Sequence, residues 1–314
     1  MRPNSAAAPT PARRPWQAGS VLLITATLLA IGCAKPTRVP LRAELRTQIN
    51  SVKTMAGFQQ QEIGSTINSA QGATAGQFGL IGAFVEMGID SSRTKSAESA
   101  IVPVRNALIG YDPGTTLAAA LKNELAPLAW LKGNTIEVKA VGDTTVVQGW
   151  LEKCGADVLL VIRPNYSLTP KFDGVLVTAE VSLHPRNAPL TEAQRPLDKL
   201  PGVLYYNDFT TTHTLADWPS PAPKDLEEAA KLWSADKGQK GRAVVDAGMA
   251  ELARMIAYDL EQPGSTEDRY EAPAGAKTVR VNWKGYNQAV PVVHEGNGRV
   301  WARHSWGSLY SLKQ

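Results

Sequence analysis

The chain has few of the residues and motifs on which most enzymes and small secreted scaffolds depend. Two cysteines among 314 residues exclude a disulfide-rich scaffold. The four histidines, His184, His213, His294 and His304, form no HExxH or HxxxH spacing and have no acidic or cysteine cluster beside them. A G-x-S-x-G elbow and a phosphate-binding loop are also absent from the sequence. We therefore predict no metal site, no cofactor and no catalytic residues.

The chain also lacks a strong charge excess. It is 43% apolar and 20% charged, which is too apolar for a disordered chain and sufficient for one large or two small domains. The formal net charge is +4, but residues 1–32 carry three arginines and no acid, so the remainder has 30 basic and 29 acidic residues. Residues 264–314 hold seven basic and four acidic residues. This balance does not favour nucleic-acid binding.

The N-terminus predicts export. Residues 1–17 carry Arg2, Arg13 and Arg14 and no acid, and an uncharged, largely apolar run follows at 18–32. A basic segment followed by a short apolar run and small residues is typical of a secretory signal peptide. The run is shorter than the roughly 20 residues that a membrane-spanning helix needs. The Arg13-Arg14 pair is a weak match to a twin-arginine signal, which is the alternative export route.

Cys33 follows this signal directly. The stretch Leu29-Ala30-Ile31-Gly32-Cys33 resembles a bacterial lipobox, in which the signal is cut before a cysteine that carries lipid, although Ala30 replaces the more usual Leu. The resemblance implies that lipid on Cys33 holds the protein at a membrane. Ala34 is not the aspartate that retains lipoproteins in the inner membrane, so the resemblance implies the periplasmic face of the outer membrane. An uncleaved anchor helix and ordinary cleavage nearby are the alternatives.

Hydrophobic periodicity in the remaining chain predicts an α/β (α+β) fold, with a mixed β-sheet flanked by helices and a small C-terminal β-meander. The clearest helix spans 241–260, where apolar residues recur at i, i+4, i+7, i+11 and i+15. Other helices are predicted at 93–109, 113–126, 143–155 and 224–236. Strands are predicted at 49–61, 134–141, 157–166, 175–183 and 203–212, although 49–61 could equally continue a helix. Residues 185–201 are predicted to be a loop.

A Gly-rich segment at 70–90 is a candidate oligomerisation site. Gly72, Gly76, Gly79 and Gly82 alternate with alanines at small-xxx-small spacing, which lets helices approach closely. Membrane insertion is less favoured, since only residues 78–85 are continuously apolar and an acid follows. Close packing against the protein's own sheet is the simplest interpretation, and self-association is the alternative.

The C-terminal stretch 276–314 carries an aromatic–basic set that is a candidate partner-binding face. Aromatic rings and guanidinium groups can stack on sugars or bind anionic partners. A meander this small also needs large aromatic side chains for its own core, and that interpretation is the stronger one. The set consists of Trp283, Tyr286, Arg299, Trp301, Arg303 and Trp306.

The second cysteine, Cys154, falls on the apolar face of the helix predicted at 143–155. Val147, Trp150 and Leu151 share that face at helical spacing. A cysteine in this position acts as a small apolar residue. A nucleophile or an intermolecular disulfide is the alternative.

The predicted order of helix, strand, helix, buried strand, turn, alternating strand, loop, strand and long helix resembles a known group of Gram-negative periplasmic lipoproteins. That group includes the curli-secretion channel, exopolysaccharide-secretion lipoproteins and activators of penicillin-binding proteins. The segments ADVLLVIRPNY, VLVTAEVSLHPR, GMAELARMIAYDL and SSRTKSAESAIVPVRNAL resemble uncharacterised outer-membrane lipoproteins still more closely. The resemblance covers roughly residues 48–262 and implies a mixed sheet flanked by helices. It is architectural, so no functional residue carries over, and fold analogy alone is weak support for a function.

These observations predict five regions. They are a signal peptide (1–32), a tether (33–47), a periplasmic α/β domain (48–262), a linker (263–275) and the β-meander (276–314). The leading hypothesis is a non-catalytic, lipid-anchored envelope protein that binds a partner or self-associates. The alternative is a component of a secretion or transport apparatus, and an enzyme of unknown type is the third hypothesis. Expected partners are the membrane, through Cys33, and an envelope protein or a second copy of the chain.

Overall fold

The computed structural model describes most of the chain after residue 37 and has an α/β fold. The described residues are 38–58, 60, 62–65, 91–131, 133–139, 147–193, 195–197, 200–262, 270–283 and 286–314. Within them, ten strands form one mixed sheet with helices packed against it. The predicted fold class is therefore confirmed. The predictions for Cys33 and for the glycines of segment 70–90 lie outside the described residues.

The longer helices of the described part begin and end close to the predicted residues. The helices are α1 Ala43–Arg46, α2 Ser91–Ala107, α3 Pro113–Leu125, α4 Val147–Lys153, α5 Ala188–Thr191, α6 Leu226–Ser234 and α7 Gln239–Glu261. Helix α3 begins where it does because Asp112 caps it, accepting a hydrogen bond from the Gly114 backbone N–H at 2.9 Å. Pro113 occupies the first turn, where its missing N–H costs nothing.

The strands alternate with these helices and then run consecutively at the C-terminus. They are β1 Val52–Gly57, β2 Gly64–Ser65, β3 Thr135–Lys139, β4 Val158–Leu168, β5 Val175–Pro185, β6 Arg195–Leu197, β7 Leu200–Val203, β8 Tyr205–His213, β9 Thr278–Trp283, β10 Tyr286–Gly296, β11 Arg299–Arg303 and β12 Leu309–Lys313. The sheet order is β3-β1-β4-β5-β8-β12-β11-β10-β9, with β2 beside β4, and β6 pairs with β7 separately. Strands β1, β3 and β4 pair in parallel, whereas β4, β5 and β8 pair antiparallel.

Helix α7 lies over the middle of this sheet and forms the centre of the apolar core. Its predicted stripe is fully buried and comprises Val245, Met249, Leu252, Ile256 and Leu260. The helix packs against β5 and β8, and Gly248 permits the close approach, because a Cβ there would meet a Val177 methyl at 2.6 Å. The side chains of β5 under α7 are apolar because the helix covers them, and they are Val175, Val177, Ala179, Val181 and Leu183.

The described part of the expected tether differs from the prediction. Residues 38–47 are part of the folded domain. Leu41 and Leu45 are buried in the main core, and Val39 forms a β-bridge with Tyr206 at the start of β8. Their helical spacing with Ile49 is the pattern of residues that face a core. The expected tether therefore overlaps the folded domain from residue 38 onward.

The C-terminal strands β9 to β12 pair consecutively as the predicted antiparallel meander, but the meander continues the main sheet instead of standing apart from it. Strand β12 pairs in parallel with β8, from Leu309 opposite Phe209 to Ser311 opposite Thr211. This pairing covers an edge that β8 would otherwise expose. The described part of the expected linker contacts the domain as well, since the backbone N–H of Tyr270 donates to the Ser305 carbonyl at 2.9 Å.

The stretch 185–201, expected to be a loop, contains short regular elements. Helix α5 lies within it, and β6 pairs with β7 in an antiparallel ladder. Leu190 is fully buried against the core. Prolines at 185, 189 and 196 mask this structure in the sequence, because they break the periodicity on which the prediction depends.

Candidate functional site

The structure buries three of the four members of the predicted aromatic–basic face whose side chains it describes. Arg299, Trp301 and Arg303 lie on β11 and are only 9%, 6% and 2% exposed. Trp283 and Tyr286 pair in register between β9 and β10, and their side chains lie outside the described residues. The prediction is therefore wrong for the three residues of β11, which cannot present their side chains to a partner. The alternative interpretation, that this set builds a core, holds for them.

The β11 arginines face a second buried stripe of α7. Glu251 and Asp259 lie eight residues apart on the helix and are 1% and 3% exposed. Eight residues of helix rise about 12 Å. Arg299 and Arg303, four residues apart on a strand, are separated by about 13 Å. Because the two spacings match, each arginine reaches one acid.

Glu251 is the centre of the first charge cluster. Its Oε1 accepts hydrogen bonds from Arg299 Nε at 3.1 Å, from Trp301 Nε1 at 2.7 Å and from the Ser311 hydroxyl. Its other oxygen pairs with Arg254. Burial alone raises the pKa of this carboxyl, but the hydrogen bonds and the two guanidinium groups hold the pKa below its usual value.

Asp259 is the centre of the second cluster and is more deeply buried. Its Oδ2 accepts from the Tyr205 hydroxyl at 2.7 Å and from Asn207 Nδ2 at 2.8 Å. Its Oδ1 pairs with Arg303 and, at 3.5 Å, with Arg38. Burial raises the pKa of Asp259, and the two arginines outweigh that effect, so its pKa lies below the usual value.

These clusters attach the C-terminal strands and residue 38 to helix α7. A buried carboxylate that two arginines and further hydrogen-bond donors hold in its charged form is typical of a structural site rather than a reacting one. Sequence reasoning missed the pairing because the acids and the arginines lie on separate elements, far apart along the chain. The matched spacings of eight helical and four strand residues could have indicated it.

Among the members of the predicted set whose side chains the structure describes, Trp306 is the exposed one, at 37%. It lies in the turn that joins β11 to β12, which comprises residues 304–307 and is called the Trp306 turn below. The Trp306 indole packs on the His304 ring, with centroids 4.3 Å apart. A shallow groove of about 370 Å³ runs beside it and is lined also by Tyr270, Gln288 and Pro291. The turn therefore presents an aromatic surface with polar neighbours.

The opposite face of the sheet from α7 carries a row of charged residues that sequence reasoning missed. Arg163, Glu180 and Asp208 lie in register on β4, β5 and β8. Arg163 Nη1 pairs with Glu180 at 3.2 Å, and Tyr206 donates its hydroxyl to Asp208 at 3.0 Å. Burial and the neighbouring Glu180 carboxylate raise the pKa of Asp208 to about 7. Only the strand register brings these three residues together, and the sequence does not give the register.

A serine and a histidine also meet on this face. The Ser182 hydroxyl and His184 Nε2 lie 2.8 Å apart, as in a nucleophile and its base. Both residues are buried, at 3% and 0% exposure, and no carboxylate among the described residues bonds His184 Nδ1. Burial, together with Arg163, lowers the pKa of His184 to about 4. The pair therefore lacks an orienting acid within the described part of the chain, and its hydroxyl is shielded from substrate.

Cys154 lies where its helical spacing predicts. It is buried and unbonded to another cysteine, and it packs with Met55, Val147 and Trp150 between α4 and the sheet. Its sulfur lies 3.5 Å from the Ala156 carbonyl oxygen. The thiol therefore acts as a small apolar group, as the sequence predicts.

Among the residues that the structure describes, no three His, Cys, Asp or Glu side chains are grouped so as to hold a metal ion. Of the helices in that part of the chain, none is long and apolar enough to cross a membrane. No family model matches the sequence, and no curated protein is significantly similar to it.

Proposed function

We propose that the protein is a non-catalytic, lipid-anchored envelope protein, held by Cys33 on the periplasmic face of the outer membrane, that binds a partner or a second copy of itself. The observation that carries this proposal is where the fold begins. The first described residue, Arg38, is already buried, and the compact unit starts at Pro36. Cleavage before Cys33 would therefore leave every described residue of the domain in the mature chain.

The non-catalytic part of the proposal is supported by how the reactive groups are arranged. The Glu251 and Asp259 carboxylates are neutralised by buried arginines. The Ser182–His184 pair is closed to solvent and has no acid at the second ring nitrogen within the described residues. These groups contribute to the fold, and their geometry does not fit the exposed, oriented constellation that acyl transfer needs.

The anchor is tested by a Cys33→Ala variant expressed in a Gram-negative host and followed by membrane fractionation. Because the lipid is proposed to supply the attachment, the variant should leave the outer-membrane fraction or stay as unprocessed precursor. Cys154→Ala is the matched control, since it removes the other cysteine from a buried position. Outer-membrane fractionation of both variants would contradict lipidation at Cys33.

The binding role is tested by cross-linking intact cells and identifying the products by mass spectrometry. A product with another envelope protein supports partner binding, and a product of twice the chain mass supports self-association. The yield of either cross-linked product should fall in the Cys33→Ala variant, because the anchor concentrates the protein at one membrane. A single monomeric band in wild-type cells would exclude both.

A further inference from the structure

The distance between the proposed anchor and the folded domain is short. Cys33 and Arg38 are five residues apart. A fully extended chain spans at most about 3.3–3.6 Å per residue, so Arg38 lies no more than about 18 Å from the lipidated residue. A spacing of this length keeps the end of the domain that holds Arg38 close to the lipid, while the far end can lie further away.

The contacts of Arg38 identify which end that is. Val39 bridges to Tyr206, which places residue 38 at the beginning of β8. The side chain of Arg38 covers Gly307 so closely that a Cβ at position 307 would collide with it, and Gly307 has a φ of +99° that favours glycine. Arg303 Nη1 in turn donates to the Gly307 carbonyl at 3.2 Å. The Trp306 turn therefore lies directly against the first packed residue after the anchor.

The side chains of this end fit the interfacial layer of a membrane. Trp306 is 37% exposed, and the Tyr270 side chain lies next to it across the groove. Tryptophan and tyrosine favour the headgroup layer, where the ring is apolar and its polar atom remains hydrated. The arginines beneath them do not oppose approach to the headgroup layer, because Asp259 neutralises one of the charges of Arg38 and Arg303 and the remaining positive charge suits anionic phospholipid headgroups.

The opposite end of the domain lies far from Arg38 and therefore from the proposed anchor. Strand β8 runs from Tyr205, near Arg38, to His213, and nine strand residues span roughly 27 Å. At that far end Val175 pairs with His213, and Trp233 donates to the Phe172 carbonyl in the neighbouring β4–β5 turn. Trp218 packs on Trp233 there, with ring centroids 6.5 Å apart. Trp218 is therefore a natural control for Trp306.

We infer that the Trp306 turn is the membrane-contacting surface of the domain, and that the Trp306 indole lies in the phospholipid headgroup layer when Cys33 is lipidated. The inference rests on the proposed function, because the lipid on Cys33 brings this end to the bilayer. The occupant of the surface is the phospholipid layer itself rather than a protein or a sugar. The short spacing after Cys33 leaves little room for a macromolecule between this end and the membrane.

The test uses the full-length lipidated protein reconstituted into vesicles of phosphatidylethanolamine and phosphatidylglycerol, with bromine on the upper part of the acyl chains as a quencher of tryptophan emission. Wild type is compared with Trp306→Phe and with Trp218→Phe. Phenylalanine keeps an aromatic ring on His304, so Trp306→Phe should fold as wild type does. Flotation of the vesicles and the mass of the N-terminal peptide are measured on the same samples.

We expect wild type and Trp218→Phe to lose the same quenchable part of their emission on brominated vesicles, and Trp306→Phe to show no such loss. Equal quenching of wild type and Trp306→Phe in floating, lipidated protein would overturn the inference and leave the anchor intact. Protein that carries no lipid and does not float would contradict the proposed function, and the inference with it. Quenching that disappears in Trp218→Phe instead would place the opposite end of the domain at the membrane.

Discussion

Helix α7 packs two different surfaces against the same sheet. One is the apolar stripe around Met249 and Leu252, which lies on β5 and β8. The other is the acidic stripe of Glu251 and Asp259, which faces the arginines of β11. Apolar burial is non-directional, so it holds the layers together without fixing their positions. A buried carboxylate tolerates only a partner at the right place, so the acidic stripe fixes where β11 lies along the helix.

The acidic stripe also connects the fold to the proposed anchor. Asp259 pairs with Arg303 of β11 and with Arg38, which follows Cys33 by five residues. One carboxylate thus joins the long helix, the C-terminal strands and the start of the domain. The apolar stripe has no such role, because its contacts lie within the central core.

The largest expected effect comes from removing one member of each stripe. Asp259→Ala leaves Arg38 and Arg303 buried without their counter-charge and should lower the free energy of unfolding by about 3–5 kcal/mol. Leu252→Ala, from the apolar stripe, should lower it by about 2–5 kcal/mol through loss of burial and a cavity. Urea unfolding of both variants measures the two costs.

A double-variant cycle then separates the two mechanisms. Adding Arg303→Ala to Asp259→Ala should cost much less than Arg303→Ala costs alone, because the partner charge is already gone. Adding Arg303→Ala to Leu252→Ala should lower the free energy of unfolding by as much as Arg303→Ala does alone. Additive costs in both cycles would show that the Asp259 cluster does not act through charge pairing.

A smaller effect is expected from Glu251→Gln. The amide oxygen can still accept hydrogen bonds from Trp301 and Ser311, while the charge opposite Arg299 is lost. We expect a decrease of about 1–3 kcal/mol in the free energy of unfolding. Asp259→Asn is the matched comparison and should cost more, since Asp259 faces two buried arginines whereas Arg254 at Glu251 is partly exposed. Equal or reversed costs would contradict the order of the two clusters.

Stability should depend on pH in the opposite sense at the sheet face away from α7, because the pKa of Asp208 is raised whereas the pKa values of Glu251 and Asp259 are lowered. The pKa of Asp208 is about 7 in the folded protein and about 4 in an unfolded chain. Between these pH values the folded protein holds a proton that the unfolded chain has lost, so Asp208 makes stability fall as pH rises from about 4 to about 7. Asp208→Asn should remove this fall and be more stable than wild type at pH 8 by about 1–3 kcal/mol, after allowance for its partial exposure.

The measurement is urea unfolding of Asp208→Asn and wild type at pH 5 and pH 8. Tyr206→Phe is a useful second variant, because it removes the hydroxyl that donates to the Asp208 carboxylate and should steepen the fall. An unchanged difference between wild type and Asp208→Asn at the two pH values would show that this carboxyl does not titrate near neutrality.

The smallest effect on stability is expected at the exposed end. Trp306→Phe should change the free energy of unfolding by less than about 0.5 kcal/mol, since the ring stays on His304 and the position is partly exposed. The same urea measurement on protein without lipid checks this. A loss of several kcal/mol would mean that the indole supports the fold.

The sequence predicts most helices and strands because each has its own periodicity. The stripe of α7, the cap at Asp112 and the place of Cys154 follow from spacing alone. Contacts between distant segments do not follow in the same way. The sequence pattern of a short alternating strand predicts that Arg299 and Arg303 are exposed. In the fold they are buried because they pair with the acids of α7, which lie much earlier in the chain.

The boundaries of the domain also cannot be predicted from local sequence patterns. Leu41 and Leu45 carry a helical spacing, but Pro36 and Pro40 beside them are typical of a tether. The pairing of β12 with β8 joins strands that lie far apart along the chain, and no local pattern records it. The charged row at Arg163, Glu180 and Asp208 likewise exists only through the register of three strands.

The proposed lipid on Cys33, which would hold this domain at the membrane, can be tested directly. The most direct measurement is the mass of the mature N-terminal peptide, taken from protein purified out of the outer-membrane fraction. We expect a peptide that begins at Cys33 and whose mass exceeds that of the unmodified peptide by a diacylglyceryl group and an amide-linked acyl chain. An unmodified Cys33, or a mature chain that begins at another residue, would contradict it.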